Sequence, residues 1–398
     1  MLVSRLTKAL IIKFVGLAFS FATLSLLAKN MEPNDLALYF LSLSALMLFV
    51  FPLNGALEGY LNKYISNLVI AQSASMFWVV IKILFPLFFS YLVLALMACT
   101  YLATFQDQFS LIQVLIFVCL HSIYYFMQVC HKVLNFASKN IITATFADSI
   151  LKPVLILGCL IFFEANIRNL FWGYINAYVI SILFLTLYNL RYFSNAGSID
   201  KMEETGYFTF LINNMLVTFA FQMPIWLAEY QNENVAAVGI GMRCLSLFLT
   251  VFAVASNLYA SDIARLGRIK AGSHLLGLYQ KYSYFIAGSL IVIISIAIVL
   301  MPTFYSIFFK LEYYEYLSTA FILALGFILF RGFLNPVSNF IIGLDKTYVL
   351  NIATIASCLP YLILFSMPNL FSSMLAYGLH HLIIALIFLF TLRSHSKL

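Results

Sequence analysis

A series of long apolar segments, separated only by short polar loops, is the feature that most constrains what this chain can fold into. A helix needs roughly 20 apolar residues to cross the hydrocarbon core of a bilayer. About twelve segments reach that length, and the loops between them are too short to hold a soluble domain. The predicted spans are 9–28, 36–56, 77–99, 109–132, 141–163, 170–190, 208–228, 235–260, 282–301, 319–342, 348–367 and 370–392.

The composition supports a chain that is solvated mainly by lipid. Of the 398 residues, 63% are hydrophobic and 9% are charged, whereas a soluble domain carries about 25% charged residues. The spans must be helices, because a helix satisfies its own backbone hydrogen bonds in lipid, and barrel strands would be about 10 residues long with alternating polarity. The sequence therefore predicts an all-α polytopic membrane protein with about 12 transmembrane helices.

The distribution of basic residues predicts how the chain is oriented. With both termini cytoplasmic, three of the 22 lysines and arginines lie on the outer side (Lys29, Arg168 and Lys310), and Arg243 and Arg331 lie within spans. The remaining 17 lie on the inner side, in agreement with the positive-inside rule. Topology thus explains the net charge of +7, and no nucleic-acid partner is expected.

A polar interruption at 191–206 divides the predicted spans into six and six. We therefore predict an N-terminal six-helix bundle over 1–195, a cytoplasmic loop over 196–206 and a C-terminal six-helix bundle over 207–398. Two halves of the same orientation correspond to a parallel repeat, which is a transporter plan that binds substrate between the halves.

Two arginines within the predicted spans are the sharpest functional signal, because a charge at bilayer depth costs about 3 kcal/mol on insertion scales. Arg331 lies near the middle of its span and Arg243 is nearly as deep, and neither has an acidic residue within two turns. We interpret them as the wall of a water-filled cationic cavity rather than as structural residues. Such a cavity attracts phosphate or carboxylate, and arginine binds phosphate oxygens through two parallel hydrogen bonds.

Other polar residues have a structural explanation beside the functional one. Lys13 lies near the cytoplasmic end of its span, where snorkelling explains it as well as ligand binding does. Asp148 and Lys152 are four residues apart and either pair with each other or take part in transport. The adjacent His380 and His381 lie in an apolar helix and are interpreted as packing residues.

The sequence offers no signal of catalysis. The six cysteines form no Cys-x-x-Cys pair, so neither a disulfide framework nor a zinc site is indicated. No metal cluster, nucleophile–base pair, phosphate-binding glycine loop or ATPase motif is recognisable. We expect no cofactor and no enzymatic activity, and any uphill work would require an ion gradient.

Three short segments match the pattern of a known family of membrane proteins. They are LAKNMEPNDLALY at 27–39, between the first two spans, GALEGYLNKYI at 55–65, at the exit from the second span, and FASKN at 136–140, before the fifth. With these segments and its twelve-span layout, the whole chain resembles the Wzx-type polysaccharide flippases of the multidrug/oligosaccharidyl-lipid/polysaccharide (MOP) exporter superfamily. In the first segment Ala37 replaces the family's glycine.

The resemblance implies a bacterial inner-membrane flippase that moves an undecaprenyl-diphosphate-linked oligosaccharide, such as an O-antigen repeat unit, between leaflets by alternating access. The family's basic cavity residues would correspond in kind to Arg243 and Arg331, joined by Lys13 and Lys152. Family members have been linked to ion gradients, which makes Asp148 and Glu58 candidate coupling acids, with a structural or surface role as the alternative. Implied partners are the lipid-linked glycan, membrane lipids, and the polysaccharide polymerase and chain-length machinery.

Two other classes of protein stay open at this point. A drug or metabolite exporter of the same superfamily would share the fold, but an exporter of cationic drugs would be expected to carry buried carboxylates. A polytopic polysaccharide polymerase or acyltransferase would be expected to have a large basic outer loop. Here the longest outer loop, near 304–317, contains only Lys310 as a basic residue.

Overall fold

A computed structural model describes residues 2–65, 111–137, 146–163, 165–189, 207–258, 272–344 and 346–395, together with 263, 266–267 and 269. The chain forms two compact units, Met1–Thr218 and Phe219–Leu398, and each is described by itself. All of the regular secondary structure among the described residues is helical. This confirms the prediction of an all-α polytopic membrane fold. The predicted span 77–99 and the predicted inter-bundle loop 196–206 lie outside the described residues, and the proposed division into two six-helix bundles stays a prediction.

The first unit contains five helices among its described residues, before the helix that begins at residue 207. Helix α5 packs against α3 and α4, α1 packs against α4, and α2 packs against α3. Tyr124, Tyr178 and Leu185 form a buried cluster where α3 and α5 meet. The helices are α1 (Leu2–Asn30), α2 (Pro33–Ile65), α3 (Leu111–Ala137), α4 (Lys152–Phe162) and α5 (Ile167–Asn189).

A π-helical turn over Ala147–Leu151 precedes α4 and lies against α1. In a regular helix the Ser149 carbonyl would accept a hydrogen bond from residue 153, but Pro153 has no N–H. Gly16 of α1 is the residue that faces this carbonyl, and a Cβ added there would overlap the Ser149 oxygen. The close approach of α1 to the turn therefore depends on the missing side chain at Gly16.

The second unit is organised around two helices. Helix α10 packs against α7, α9 and α14, and α14 packs in turn against α8, α12 and α13. The apolar stretch of α9 is only 6% buried, whereas that of α14 is 56% buried, so α9 faces lipid and α14 is central. The helices are α6 (Tyr207–Tyr230), which begins in the first unit, α7 (Val235–Leu258), α8 (Gly272–Lys281), α9 (Ser283–Phe308), α10 (Leu311–Leu334), α11 (Pro336–Gly343), α12 (Thr347–Ser357), α13 (Leu359–Ser366) and α14 (Ser373–Ser394).

Two of the predicted spans are interrupted by proline. The predicted span 319–342 begins earlier, at Leu311, and breaks at Asn335, because Pro336 has no N–H to continue the helix. The predicted span 348–367 breaks in the same way at Cys358, two residues before Pro360. Within the described residues, six helical segments are long and apolar enough to cross a bilayer: Ile11–Asn30, Ile167–Tyr188, Tyr284–Phe308, Leu311–Leu334, Tyr348–Ser366 and Ser373–Ser394.

The loop between α6 and α7 has a defined hydrogen-bonding pattern at each of its ends. Asn232 has a positive φ of 55°, and the Glu233 N–H returns to the Ala228 carbonyl, so α6 ends in a Schellman motif. Asn234 then begins α7 by accepting the Ala237 N–H through its side chain. Elsewhere in the second unit, the Tyr279 hydroxyl of α8 donates to a carbonyl beside the break between α10 and α11.

Candidate functional site

A contact between Arg331 and His381 joins helices α10 and α14 of the second unit. Arg331 Nη1 of α10 lies 2.5 Å from His381 Nδ1 of α14. A guanidinium can only donate, so Nδ1 is the acceptor, and the neutral imidazole carries its proton on Nε2. His381 is the ninth residue of α14, about 12 Å from the start of that helix at 1.5 Å per residue. Arg331 itself lies in the last turn of α10, so its predicted place near the middle of a span stays a prediction.

Four polar atoms around this pair are buried without a hydrogen-bond acceptor or donor among the described residues. They are Arg331 Nε, His381 Nε2 and the hydroxyls of Tyr361 and Tyr377. A buried group left unsatisfied costs about 1–3 kcal/mol. All four can donate a hydrogen bond, and Arg331 makes no ion pair with a carboxylate of the described residues. Because ionised phosphate and carboxylate oxygens are acceptors only, the arrangement is chemically suited to an anion.

Tyr377 brings the two predicted arginines into one neighbourhood. Its ring lies edge-on to His381 with the centroids 4.6 Å apart. Its hydroxyl is close enough to interact electrostatically with both Arg331 and Arg243. Arg243 is partly exposed on α7, where Ser246 Oγ donates to its carbonyl at 2.8 Å. The structure thus places both arginines near one phenol in the second unit.

The two adjacent histidines have different environments. His380 Nδ1 lies 3.2 Å from the Ser357 carbonyl at the end of α12, and its ring stacks on Tyr361 with the centroids 5.6 Å apart. This agrees with a packing role. His381 instead contacts the arginine, so the packing interpretation was wrong for this residue. The available signal was its spacing from Tyr377, since residues four apart share one helix face.

A second candidate site, in the first unit, consists of Lys152 and the aromatic residues around it. Its Nζ donates to the Tyr125 hydroxyl at 2.9 Å. The ammonium also lies 4.9 Å from the centroid of the Tyr125 ring and 5.3 Å from that of Tyr124, within the range of a cation–π interaction. Lys152 remains partly exposed and has three donors, so it retains capacity for a ligand.

Hydrogen-bonded aromatic residues extend from this lysine across α3, α5 and α2. The His121 ring lies 4.7 Å from that of Tyr125, and His121 Nδ1 lies 2.7 Å from the Tyr178 hydroxyl. Farther along α5, the Tyr174 hydroxyl lies 3.1 Å from the hydroxyl of Tyr39 on α2. The sequence analysis did not identify the tyrosines of α5, because their partners lie on other helices.

The remaining predicted residues are distributed as follows. Lys13 is partly buried on α1, in the first unit with Lys152. Asp148 lies in the π-helical turn and Glu58 in α2, but both side chains lie outside the described residues, so their proposed ion-coupling roles and the pairing of Asp148 with Lys152 stay predictions. In the part of the chain that the structure describes, no group of His, Cys, Asp and Glu side chains could hold a metal ion.

Comparison with known proteins gives matches of structure only. No protein-family model matches the chain, and no curated protein matches its sequence. A structure of a multidrug resistance MATE family transporter of the MOP superfamily, in an inward-facing conformation, is similar with a TM-score of 0.72 and 11% identity over 98% of both chains.

Two further structures are similar to this chain. The lipid II flippase MurJ, in an inward closed conformation, gives a TM-score of 0.69 at 13% identity over 97% of this chain and 87% of its own. A MOP superfamily transporter from Pyrococcus furiosus, described as having a binding pocket of reverse polarity, gives 0.66 at 12% identity over 99% and 94%. This chain therefore has the fold of the MOP superfamily transporters and flippases.

Proposed function

We propose that this protein is a flippase that moves an undecaprenyl-diphosphate-linked oligosaccharide across the bacterial inner membrane. The fold is shared with both exporters and a lipid flippase, so the fold alone does not choose the substrate. The choice rests on the chemistry of the buried polar residues, together with the sequence resemblance to the Wzx-type flippases.

The observation that carries the proposal is the partly exposed Arg331 with its surrounding buried donors. Arg331, His381, Tyr361 and Tyr377 present unsatisfied polar atoms on helical segments that are long and apolar enough to cross a bilayer. A lipid diphosphate must move its negative charge past the hydrocarbon region, where it loses hydrogen bonds to water. A guanidinium replaces those bonds with two charge-assisted ones in a geometry that fits phosphate.

The proposed transport cycle is alternating access, in which the substrate site opens to one side of the membrane at a time. Arg243 and Arg331 would bind the diphosphate or an acidic sugar, and Lys13 and Lys152 would contribute further positive charge. The lipid tail would stay in the bilayer. The O-antigen or surface-polysaccharide pathway, and a partnership with its polymerase and chain-length machinery, belong to this proposal.

Export of small molecules by the same fold is the rival function. A MATE family multidrug transporter is among the similar structures, which keeps that class in view. The unsatisfied donors around Arg331 argue against a cationic drug. A cation placed there would be repelled by the positive charge of Arg331, and no carboxylate of the described residues pairs with that charge. The neighbours are transporters and flippases, which favours transport over a polymerase or acyltransferase reaction.

Reconstitution tests the function directly. Liposomes would contain the purified protein and a fluorescent undecaprenyl-diphosphate-linked oligosaccharide, and an impermeant quencher would report the outer leaflet. We expect rapid loss of the protected fluorescence with the wild type and slow loss with Arg331→Ala. Arg393→Ala, at an exposed arginine of α14, is the matched control and should behave as the wild type. Equal rates with and without protein, or uptake of a cationic dye that depends on Arg331, would contradict the proposal.

A further inference from the structure

We propose that Arg331 and His381 form a proton-linked anion site. In this site the Arg331 guanidinium donates to a bound anion instead of to His381, and a proton binds to His381 Nδ1. The site belongs to the second unit alone. The identity of the natural anion as a lipid diphosphate rests on the proposed function, but the linkage between anion and proton does not.

The linkage follows from the single lone pair on His381 Nδ1. Arg331 Nη1 occupies it now, at 2.5 Å. A proton on Nδ1 and a donated Arg331 N–H cannot share that lone pair, so the arginine contact and the imidazolium exclude each other. Any ligand that draws the guanidinium away leaves Nδ1 free to bind a proton.

An anion is the ligand that the surrounding atoms would accept. Arg331 is partly exposed and so can be reached, whereas its Nε, His381 Nε2 and the two tyrosine hydroxyls are buried without an acceptor among the described residues. Each lies beside the guanidinium or the imidazole and can donate to a tetrahedral oxyanion. The anion would complete a set of hydrogen bonds that the side chains present leave open.

The charges that face the pair make anion and proton bind together rather than separately. The titratable groups around His381 are His380 and Tyr377 from α14, Tyr361 from α13, Arg331 from α10, and Arg243 through Tyr377. No carboxylate of the described residues faces His381. A proton alone would place an imidazolium beside an arginine, which like-charge repulsion disfavours. A bound anion balances both positive charges, so the proton enters with it.

The consequence is reciprocal. If anion binding brings one proton to His381, then acidification strengthens anion binding by the same coupling free energy. For one linked proton, the dissociation constant rises about tenfold per pH unit on the alkaline side of the titration. The Arg331 N–H transfers its hydrogen bond from Nδ1 to the anion. The one covalent change is the N–H bond formed at Nδ1, whose proton is given up by hydronium or a buffer acid in the solvent.

Isothermal titration calorimetry with inorganic sulfate tests this in detergent-solubilised full-length protein. Sulfate stays fully ionised through the neutral and mildly acidic range, so any proton taken up binds to the protein. Titrations in two buffers of different ionisation enthalpy give the number of protons. We expect uptake of up to one proton per sulfate in the wild type, and affinity that weakens from about pH 6 to about pH 8.

Two variants assign the effect. His381→Gln keeps an acceptor for Arg331 and a donor for the anion but cannot take the proton, so sulfate should bind with no buffer dependence and no change with pH. His380→Gln is the matched control, because His380 contacts Ser357 and Tyr361 rather than Arg331, and this variant should keep the wild-type linkage. His381→Asn repeats the first test if the glutamine is not tolerated.

The result that overturns the proposal requires no variant. Wild-type protein that binds no sulfate, or binds it with no proton uptake at any pH, has no proton-linked anion site. Uptake that persists in His381→Gln assigns the proton elsewhere and equally contradicts it. Failure of the flippase function is distinguishable, because it is measured with the lipid-linked oligosaccharide and leaves the sulfate titrations unchanged.

Discussion

The Glu233 carboxylate accepts the backbone N–H of Ser373, with its two oxygens 3.1 and 3.2 Å from the nitrogen. Ser373 is the first residue of α14, so a side chain from the loop between α6 and α7 satisfies one of the N–H groups that a helix leaves free at its start. This contact ties the central helix of the second unit to a loop 140 residues away in sequence.

The Glu233 contact predicts a pH-dependent stability. Burial raises the pKa of Glu233 above its ordinary value of 4.5, and the hydrogen bonds from Ser373 lower the pKa in part. A raised pKa means that the folded state favours the neutral acid. The stabilisation is therefore complete below the ordinary pKa and is lost as the pH rises through the raised pKa. In the wild type, the unfolding temperature should therefore fall as the pH rises through the raised pKa of Glu233. Glu233→Gln keeps an oxygen acceptor but does not titrate, so this fall should be absent in the variant. The exposed Glu229→Gln should retain it, and identical pH profiles for the wild type and Glu233→Gln would exclude this role.

Gly16 predicts a steric requirement at the contact between α1 and the π-helical turn. A Cβ at residue 16 overlaps the Ser149 carbonyl oxygen, so Gly16→Ala must displace backbone and should cost about 1–3 kcal/mol of stability. Gly158→Ala is the matched control, because a Cβ there meets no atom within 4 Å. Thermal unfolding in detergent compares the two. A Gly16→Ala protein as stable as Gly158→Ala would show that α1 does not approach the turn so closely.

Replacement of Arg331 by lysine separates the role of the positive charge from that of the planar guanidinium. Arg331→Lys keeps the positive charge but loses the planar fork that binds two oxygens at once. If the fork binds phosphate, this variant should transport about tenfold more slowly, equivalent to roughly 1.4 kcal/mol, at normal abundance in the membrane. Surface polysaccharide and membrane protein would be quantified from the same cells. Wild-type activity in Arg331→Lys would mean that charge alone matters, and loss of protein would indicate a structural role.

Lys152 predicts a transport defect that is separable from folding. Lys152→Met keeps the apolar stem and removes the charge above Tyr124 and Tyr125, so flipping should fall while abundance stays unchanged. Tyr125→Phe removes only the hydroxyl that accepts the lysine, and should cost about 1 kcal/mol of stability with transport largely retained. If Lys152→Met instead lowers the abundance of the protein, and the protein that remains transports normally, this lysine has a structural role.

The predicted orientation is tested by cysteine accessibility. In a variant without native cysteines, Ser273→Cys on α8 should be shielded from an impermeant thiol reagent in intact cells, whereas Asn34→Cys, at the start of α2, should react. Both positions are exposed in the structure, so burial does not account for a difference. Labelling of Ser273→Cys before lysis would place α8 outside the cell and reverse the topology.

The positions of the helices could be predicted from the sequence because a span needs a long apolar run, and that requirement is local. The bounds near Pro336 and Pro360 were less predictable, since the apolar pattern continues across both prolines while the backbone hydrogen bonding does not. The helix ends there depend on one missing N–H rather than on hydropathy.

The candidate site was predicted in part. The sequence identifies Arg331 as a charge within an apolar stretch, but its contact with His381 depends on which face of α14 meets α10. Lys152 shows the same limit. Sequence spacing suggests a neighbour on its own helix, whereas the described contact is with Tyr125, 27 residues earlier on another helix. Contacts between helices depend on rotation and packing, which local spacing does not specify.

The proline break at Cys358 links the shape of one span to the position of a ring on the next. Because the helix is interrupted there, the Ser357 carbonyl can accept a hydrogen bond from His380 Nδ1, which lies 3.2 Å away. His380 is the immediate neighbour of His381. A change in the angle between α12 and α13 would therefore move the histidine that precedes the arginine contact. Because spans tilt or kink to match the hydrocarbon around them, bilayer thickness becomes a variable on which the geometry of this contact depends.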